Sequence, residues 1–310
     1  MVPVETSRYV TLTLHSGRPA AVEATAGFIA GMTANGITSL VKSDNLSTFA
    51  GAGDVQELTP DNEKHSELAV VFGGDGSILR AAEWALPLDI PVLGVNLGHV
   101  GFLAELESTE ADTLISHVVD RSYTVEERMT IDTTVTDANG AEVWSSYAIN
   151  EVSIEKLARE RMIEVLVTVD GRALSRWGTD GVLVSTPTGS TAYAFSANGP
   201  VLWPDIDALL LVPLSAHALF NRPLVIGPHS TVSIEILPTN QTHAVVWCDG
   251  RRTTDISGGM VVTTTVGAHR LRLARLSERP FVDRLVRKFA LPVHGWRGRA
   301  AGEADDHNAH

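Results

Sequence analysis

Leu68-Ala69-Val70-Val71-Phe72-Gly73-Gly74-Asp75-Gly76-Ser77-Ile78-Leu79-Arg80 is the stretch on which the reading of the fold turns. Leu68–Phe72 is apolar without alternation, as expected of a strand buried on both faces of a parallel sheet. Gly73 and Gly74 free the backbone to turn and let a ligand approach its N–H groups. Ser77 is placed to cap a helix over Ser77–Leu86, whose first turn would offer unpaired N–H groups and a partial positive charge to an anion. No Lys-Ser/Thr follows, so this is not a P-loop, and Leu79 stands where the dinucleotide fingerprint needs its third glycine. Asp75 is the unusual residue, an anion in an anion site. Two roles suit it there: binding a magnesium ion that bridges to phosphate, or accepting a proton from a hydroxyl that attacks phosphate.

Outward from this stretch, strand and helix signals alternate. Tyr9–His15 and Ile37–Val41 read as strands. Val22, Ala26, Ile29 and Met32 recur at helical spacing, with Gly36 as a stop. Residues 43–66, polar and broken by Gly and Pro, read as a long mobile loop with one short helix. Ile90–Val95 is the next buried strand. Thr109 and Asp112 form a capping-box-like pair ahead of Leu114, Ile115, Val118 and Val119. The pattern predicts an α/β domain with a doubly wound parallel sheet over residues 1–125. Beyond it the period becomes two: Ile131–Val135, Val143–Ile149, Ile163–Val169 and Val232–Ile236 alternate. Asn139-Gly140, Asp170-Gly171 and Asp249-Gly250 mark hairpins. A mostly antiparallel β domain is therefore expected over 126–276. Pro280 opens a helix bearing Phe281, Leu285, Val286 and Phe289 in a closing segment, 277–297, that can pack back on the first domain. A disordered tail is expected over 298–310.

The chain has 310 residues, a net charge of −13 and one cysteine. The charge argues against a nucleic-acid or anionic-membrane surface, which needs clustered Lys and Arg. Cys248, beside Trp247, reads as a small buried apolar group, and a lone cysteine fits a reducing compartment. The opening residues show no secretory pattern, so a cytoplasmic protein is expected. The histidines show no metal-ligand spacing, and no residue is assigned as a direct metal ligand.

Two further motifs carry chemistry. Asn150-Glu151 ends an alternating strand, and an amide beside a carboxylate suits a ribose diol or an adenine edge. The block Thr179–Pro200 places seven hydroxyl side chains within residues 185–196. Such a loop can hydrogen-bond sugar and amide groups without adding charge, and Tyr193 can stack on a base. Each motif is also consistent with an ordinary turn or surface pair.

Taken together, Gly73-Gly74-Asp75-Gly76, Gly94–Leu103, Asn150-Glu151, the Thr179–Pro200 block and Asn221-Arg222-Pro223-Leu224 resemble the NAD kinases, over roughly residues 8–297 and in their actinobacterial form. The resemblance implies phosphorylation of the adenosine-ribose 2′-hydroxyl of NAD by ATP or polyphosphate, with a divalent metal, Mg²⁺, giving NADP. It makes Asp75 the proton acceptor and assigns the phosphate donor to Gly73, Gly74, Gly76 and Ser77. Phe102 would lie against adenine. NAD contacts would come from Asp75, Gly76, Arg80, Asn150, Glu151, Arg161, Asp180, Thr191, Ala192, Tyr193 and Ser196. A homo-oligomer, dimer or tetramer, is implied, with the β domain forming interfaces. Ser77 replaces the usual Thr, and Arg251 follows Asp249-Gly250 where many members have Gln. A lipid kinase with the same glycine motif and a catalytically silent dinucleotide sensor are the alternatives. The first lacks a reason for the Thr179–Pro200 block, and the second would predict loss of the acid at position 75.

Overall fold

The structure is a computed structural model describing residues 7–15, 17–96, 101–104, 106–107, 111–158, 161–238, 243–276 and 280–293. Residues 97–100 of the Gly94–Leu103 motif, Thr109, both ends of the closing 277–297 segment and the 298–310 tail lie outside these. The chain divides into two compact units: 1–81 with 92–124 and 274–310, and 82–91 with 125–273.

The first unit is built on β1 (Arg8–Leu14), α1 (Pro19–Ala34), β2 (Ile37–Val41), α2 (Ser43–Phe49), β3 (Val55–Glu57), β4 (Ser66–Phe72), the first turns of α3 (Asp75–Ala85), and β5 (Val92–Asn96); residues 82–85 of α3 belong to the second unit. The sheet runs in the order β3-β2-β1-β4-β5, continuing to Leu271–Arg275 and Thr124–Arg128. Every pairing among β1–β5 is parallel. Residues 68–72 of β4 are fully buried, as the unbroken apolar run requires. Strand order reverses between β1 and β4, and ligands of such sheets bind beyond the strand ends at this switch point. The glycine turn sits at that end of β4. Residues 43–66 hold one short helix, α2, as expected, and beyond that expectation a strand, β3, and a 3-10 turn at Glu63–His65. β3 is three residues long and mostly exposed, too short to leave an apolar period.

The second unit is a β-sandwich. One sheet runs Leu224–Ile226, Leu209–Leu214, Gly181–Ser185, Glu151–Lys156, Ala244–Cys248, Arg252–Ile256. The other runs Arg172–Thr179, Ile163–Val169, Val232–Ile236, Val261–Val266, Ile131–Thr136, Glu142–Ala148. All pairings within these sheets are antiparallel. The alternating positions Ile131, Val135, Ile163, Val165, Val167, Ile234 and Ile236 meet Val152, Ile154, Val184 and Cys248 in one core. Cys248 is buried, as its apolar neighbours suggest, and burial pushes its thiol up to about 12. The three Asx-Gly turns have left-handed backbone at Gly140, Asp170-Gly171 and Asp249-Gly250, which the tight hairpins demand.

Candidate active site

Helix α3 begins at Asp75, two residues before the expected start, so Ser77 lies in its first turn rather than at its cap. A carboxylate there is favoured by the helix dipole. Gly73 is required by packing, because a Cβ there would sit 2.5 Å from Ser77 Oγ. Gly74 and Gly76 instead face open space where a Cβ would stand. Bare backbone at a helix start is the surface to which a phosphate can come close.

Asp75 is not left to repel that phosphate alone. Its Oδ2 accepts the Phe102 N–H at 3.0 Å and its Oδ1 accepts the Leu103 N–H at 3.1 Å. The approach needs Gly101, where a Cβ would fall 2.3 Å from Asp75 Oδ1. A carboxylate has about four acceptor positions, so each oxygen retains capacity for a substrate proton. The Phe102 ring is 7 % exposed and lies 5.8 Å from the rings of Phe281 and Phe289 in the helix Phe281–Phe289. In this conformation an adenine would meet no more than its uncovered edge.

In the second unit, the backbone around Asn150-Glu151 is held by a residue the sequence reading treated only as a hairpin corner. Asp249 accepts the N–H of Ile149 at 3.0 Å and of Asn150 at 2.7 Å, and its Oδ2 pairs with Arg252 at 2.8 Å. Arg252 also reaches Glu83, stacks 4.3 Å over the Tyr147 ring and donates to Tyr147 O. Arg251, where many relatives were expected to carry Gln, pairs with Glu83 at 2.7 Å. From the other side Asn150 O accepts Thr186 N–H at 2.8 Å and Ser185 Oγ at 3.0 Å.

This alters the reading of the hydroxyl-rich loop. Ser185, Thr186 and Ser190 are buried and donate to backbone carbonyls, so they build the loop rather than face a ligand. Gly189 is there because a Cβ would meet Asn150 O at 2.0 Å. Thr191 donates to Thr188 O, and Ala192 is half-buried. Tyr193 is 38 % exposed and Ser196 is exposed, so both present surface. Asp180 pairs with Lys156 at 2.5 Å. Arg80 and Arg161 are exposed.

Glu151 is 8 % exposed, and its Oε2 has no hydrogen-bond partner among the described residues. Burial, then the charge of Asp249, pushes its carboxyl up to about 8, against the Tyr193 backbone N–H. Burial also raises Asp249, opposed by the Ile149 and Asn150 amides and by Arg252. The folded chain therefore holds the Glu151 proton more tightly than the unfolded chain, whose value is near 4.5. This stabilisation is complete below the unfolded value and is lost as pH rises through about 8. Each pKa unit corresponds to about 1.4 kcal/mol. Glu151→Gln mimics the neutral form, so its melting midpoint should match the parent near pH 5 and exceed it by several degrees at pH 8. A melting difference that does not change with pH would exclude this account.

The bare-backbone turn of the first unit, with an acid beside it, suits an enzyme that handles phosphate, and the second unit by itself carries an amide–carboxylate pair suited to a sugar or a base. Comparison with known proteins names the kind. The ATP-NAD kinase N-terminal domain matches residues 26–123, and the ATP-NAD kinase C-terminal domain matches 149–276. NAD kinase of Cutibacterium acnes is 52 % identical over 293 residues, covering 94 % of this chain and 92 % of that protein. NAD kinase of Thermobifida fusca is 48 % identical, covering 96 % and 93 %. Yeast NADH kinase, solved with NADH, shares the fold at a TM-score of 0.83 and 21 % identity, covering 93 % and 89 % of the two chains. An Archaeoglobus fulgidus NAD kinase solved with ATP gives a TM-score of 0.68, also at 21 % identity, covering 91 % and 98 %. The chain belongs to the NAD kinase family. No helix among the described residues is long and apolar enough to cross a membrane.

Proposed function

We propose that this chain transfers the terminal phosphoryl group of ATP to the adenosine-ribose 2′-hydroxyl of NAD, with Asp75 as the proton acceptor. The observation that carries the reading is the Asp75 carboxylate, fixed by the Phe102 and Leu103 amides beside the open backbone of Gly74 and Gly76. Asp75 takes the proton as the hydroxyl oxygen attacks phosphorus. The bond from phosphorus to the bridging oxygen breaks, and ADP leaves with that electron pair. Positioning and electrostatics dominate this kind of transfer, which suits a site of backbone amides and one ordered acid.

Gly73, Gly74, Gly76 and the first turn of α3 hold the donor phosphates. Asn150 and Glu151 hold the ribose and the nicotinamide side, and Tyr193, Thr191, Ala192, Ser196 and Asp180 line the dinucleotide. A protonated Glu151 donates a hydrogen bond where a carboxylate would only accept. A magnesium ion keeps mostly water and phosphate ligands, and the exposed backbone and the Asp75 oxygen fit its arrival with the donor, where it would neutralise phosphate charge. Exposed Trp203, Ile206, Leu219, Phe220 and Val225 support assembly of the β unit with further copies.

The test is incubation with NAD, magnesium and either ATP or polyphosphate, followed by assay for NADP. NADP is expected with ATP. Absence of product with either donor would overturn the reading in favour of a silent dinucleotide sensor.

A further inference from the structure

One of the two amides that hold Asp75, the 102–103 peptide, is itself held from farther along the chain, and so is the carbonyl of Leu103 beside it. Arg284 Nη1 donates to Phe102 O at 2.9 Å, and Arg275 Nη1 donates to Leu103 O at 3.1 Å. The Phe102 ring contacts both Phe281 and Phe289. All of these residues belong to the first unit.

One peptide group joins the two ends of this chain of contacts. The carbonyl of Phe102 and the N–H of Leu103 belong to the same planar unit. Arg284 grips its oxygen, and its N–H donates to Asp75. A guanidinium on a carbonyl oxygen draws electron density through the peptide and makes the opposite N–H a stronger donor. Rotation of that plane would withdraw the N–H from Asp75, and Arg284 resists such rotation. The phenylalanine pair fixes the preceding residue, and Gly101 permits the close approach on that side.

We infer that Arg284, on the helix Phe281–Phe289, is a positioning residue for phosphoryl transfer, acting through the 102–103 peptide on Asp75. This rests on Asp75 being the proton acceptor. In sequence the closing segment carries only the apolar spacing of a packing helix, with no sign of a task in the chemistry. Arg284 grips the peptide whose N–H orients the proton acceptor, so its effect belongs in turnover rather than in NAD binding.

The test is a double-mutant cycle on the full chain, measuring kcat, the KM for NAD and the melting midpoint. Arg284→Ala should lower kcat by roughly 10–100-fold, the range a small misplacement at a reacting centre produces. The KM and the melting midpoint should hold, and Arg284→Lys should recover much of the rate. In an Asp75→Asn background, Arg284→Ala should cost nothing further, because residues acting as one unit are not additive. Unchanged kcat in Arg284→Ala, or losses that multiply in the double variant, would overturn the inference. Full turnover by Asp75→Asn alone would overturn instead the reading of Asp75 as the base. If Arg284→Ala does not fold, Arg284→Met, which keeps an apolar stem of similar reach but has no donor for the Phe102 carbonyl, takes its place in the same cycle with the same outcomes.

Discussion

Asp75→Asn should form NADP about 10²–10⁴-fold more slowly than the parent, the usual worth of a general base, while still binding NAD. The substitution is nearly isosteric, but an amide cannot take the proton of the attacking hydroxyl. It also exchanges one acceptor oxygen for a donor nitrogen. Of the Phe102 and Leu103 N–H groups, one keeps an oxygen partner and the other faces an NH₂. That conflict costs about 1–3 kcal/mol of local stability if the group stays dry, and the half-buried, solvent-adjacent turn lets water relieve part of it. A fold held by the cores of two units survives such a loss. The expected pattern is therefore a large fall in kcat, a small fall in melting midpoint and an NAD dissociation constant close to the parent's. Near-normal turnover would remove Asp75 from the role of base. Loss of NAD binding in step with turnover would mean that the acid holds substrate rather than a proton.

Much of this site was legible because its signals are local. Leu68–Phe72 announces a two-sided buried strand, and the glycines after it announce a turn into a helix. The alternating runs and Asx-Gly corners announce hairpins, and the structure has left-handed backbone at each of those corners. The contacts that hold the site are not local. Asp249 lies 100 residues from Ile149, and its carboxylate serves as a turn residue in sequence and an amide clamp in space. Arg284 lies 182 residues from Phe102. The hydroxyls of Ser185, Thr186 and Ser190 have the composition of a ligand-binding loop, yet they satisfy backbone carbonyls. Only the fold decides which way a short polar side chain faces. Asp249 did leave a faint trace: it is a carboxylate immediately after the apolar Ala244–Cys248 strand, a position that burial makes costly unless partners are waiting.

Those partners make Asp249→Ala a strongly destabilising substitution in the second unit. The carboxylate is 2 % exposed and collects the Ile149 and Asn150 amides together with Arg252. Its removal leaves buried donors unpaired at about 1–3 kcal/mol each, and breaking a buried charged pair costs on the order of 3–5 kcal/mol. One effect opposes this. The Asp249 charge raises the Glu151 carboxyl, so its loss relieves that repulsion. Burial is the larger cause of the Glu151 shift, however, and it remains after the substitution. The unpaired donors therefore win, and the melting midpoint should fall by roughly 10 °C, at about 2–4 °C per kcal/mol for a domain of this size. NAD affinity should fall as well, because the Asn150-Glu151 backbone loses its clamp on one side and keeps only Thr186 and Ser185 on the other. Asp249→Asn, which keeps one acceptor oxygen, should fall between the two in both measurements. An alanine variant that melts with the parent and binds NAD equally well would show that Asp249 merely shapes the hairpin, and that Asn150-Glu151 is held by the sheet alone.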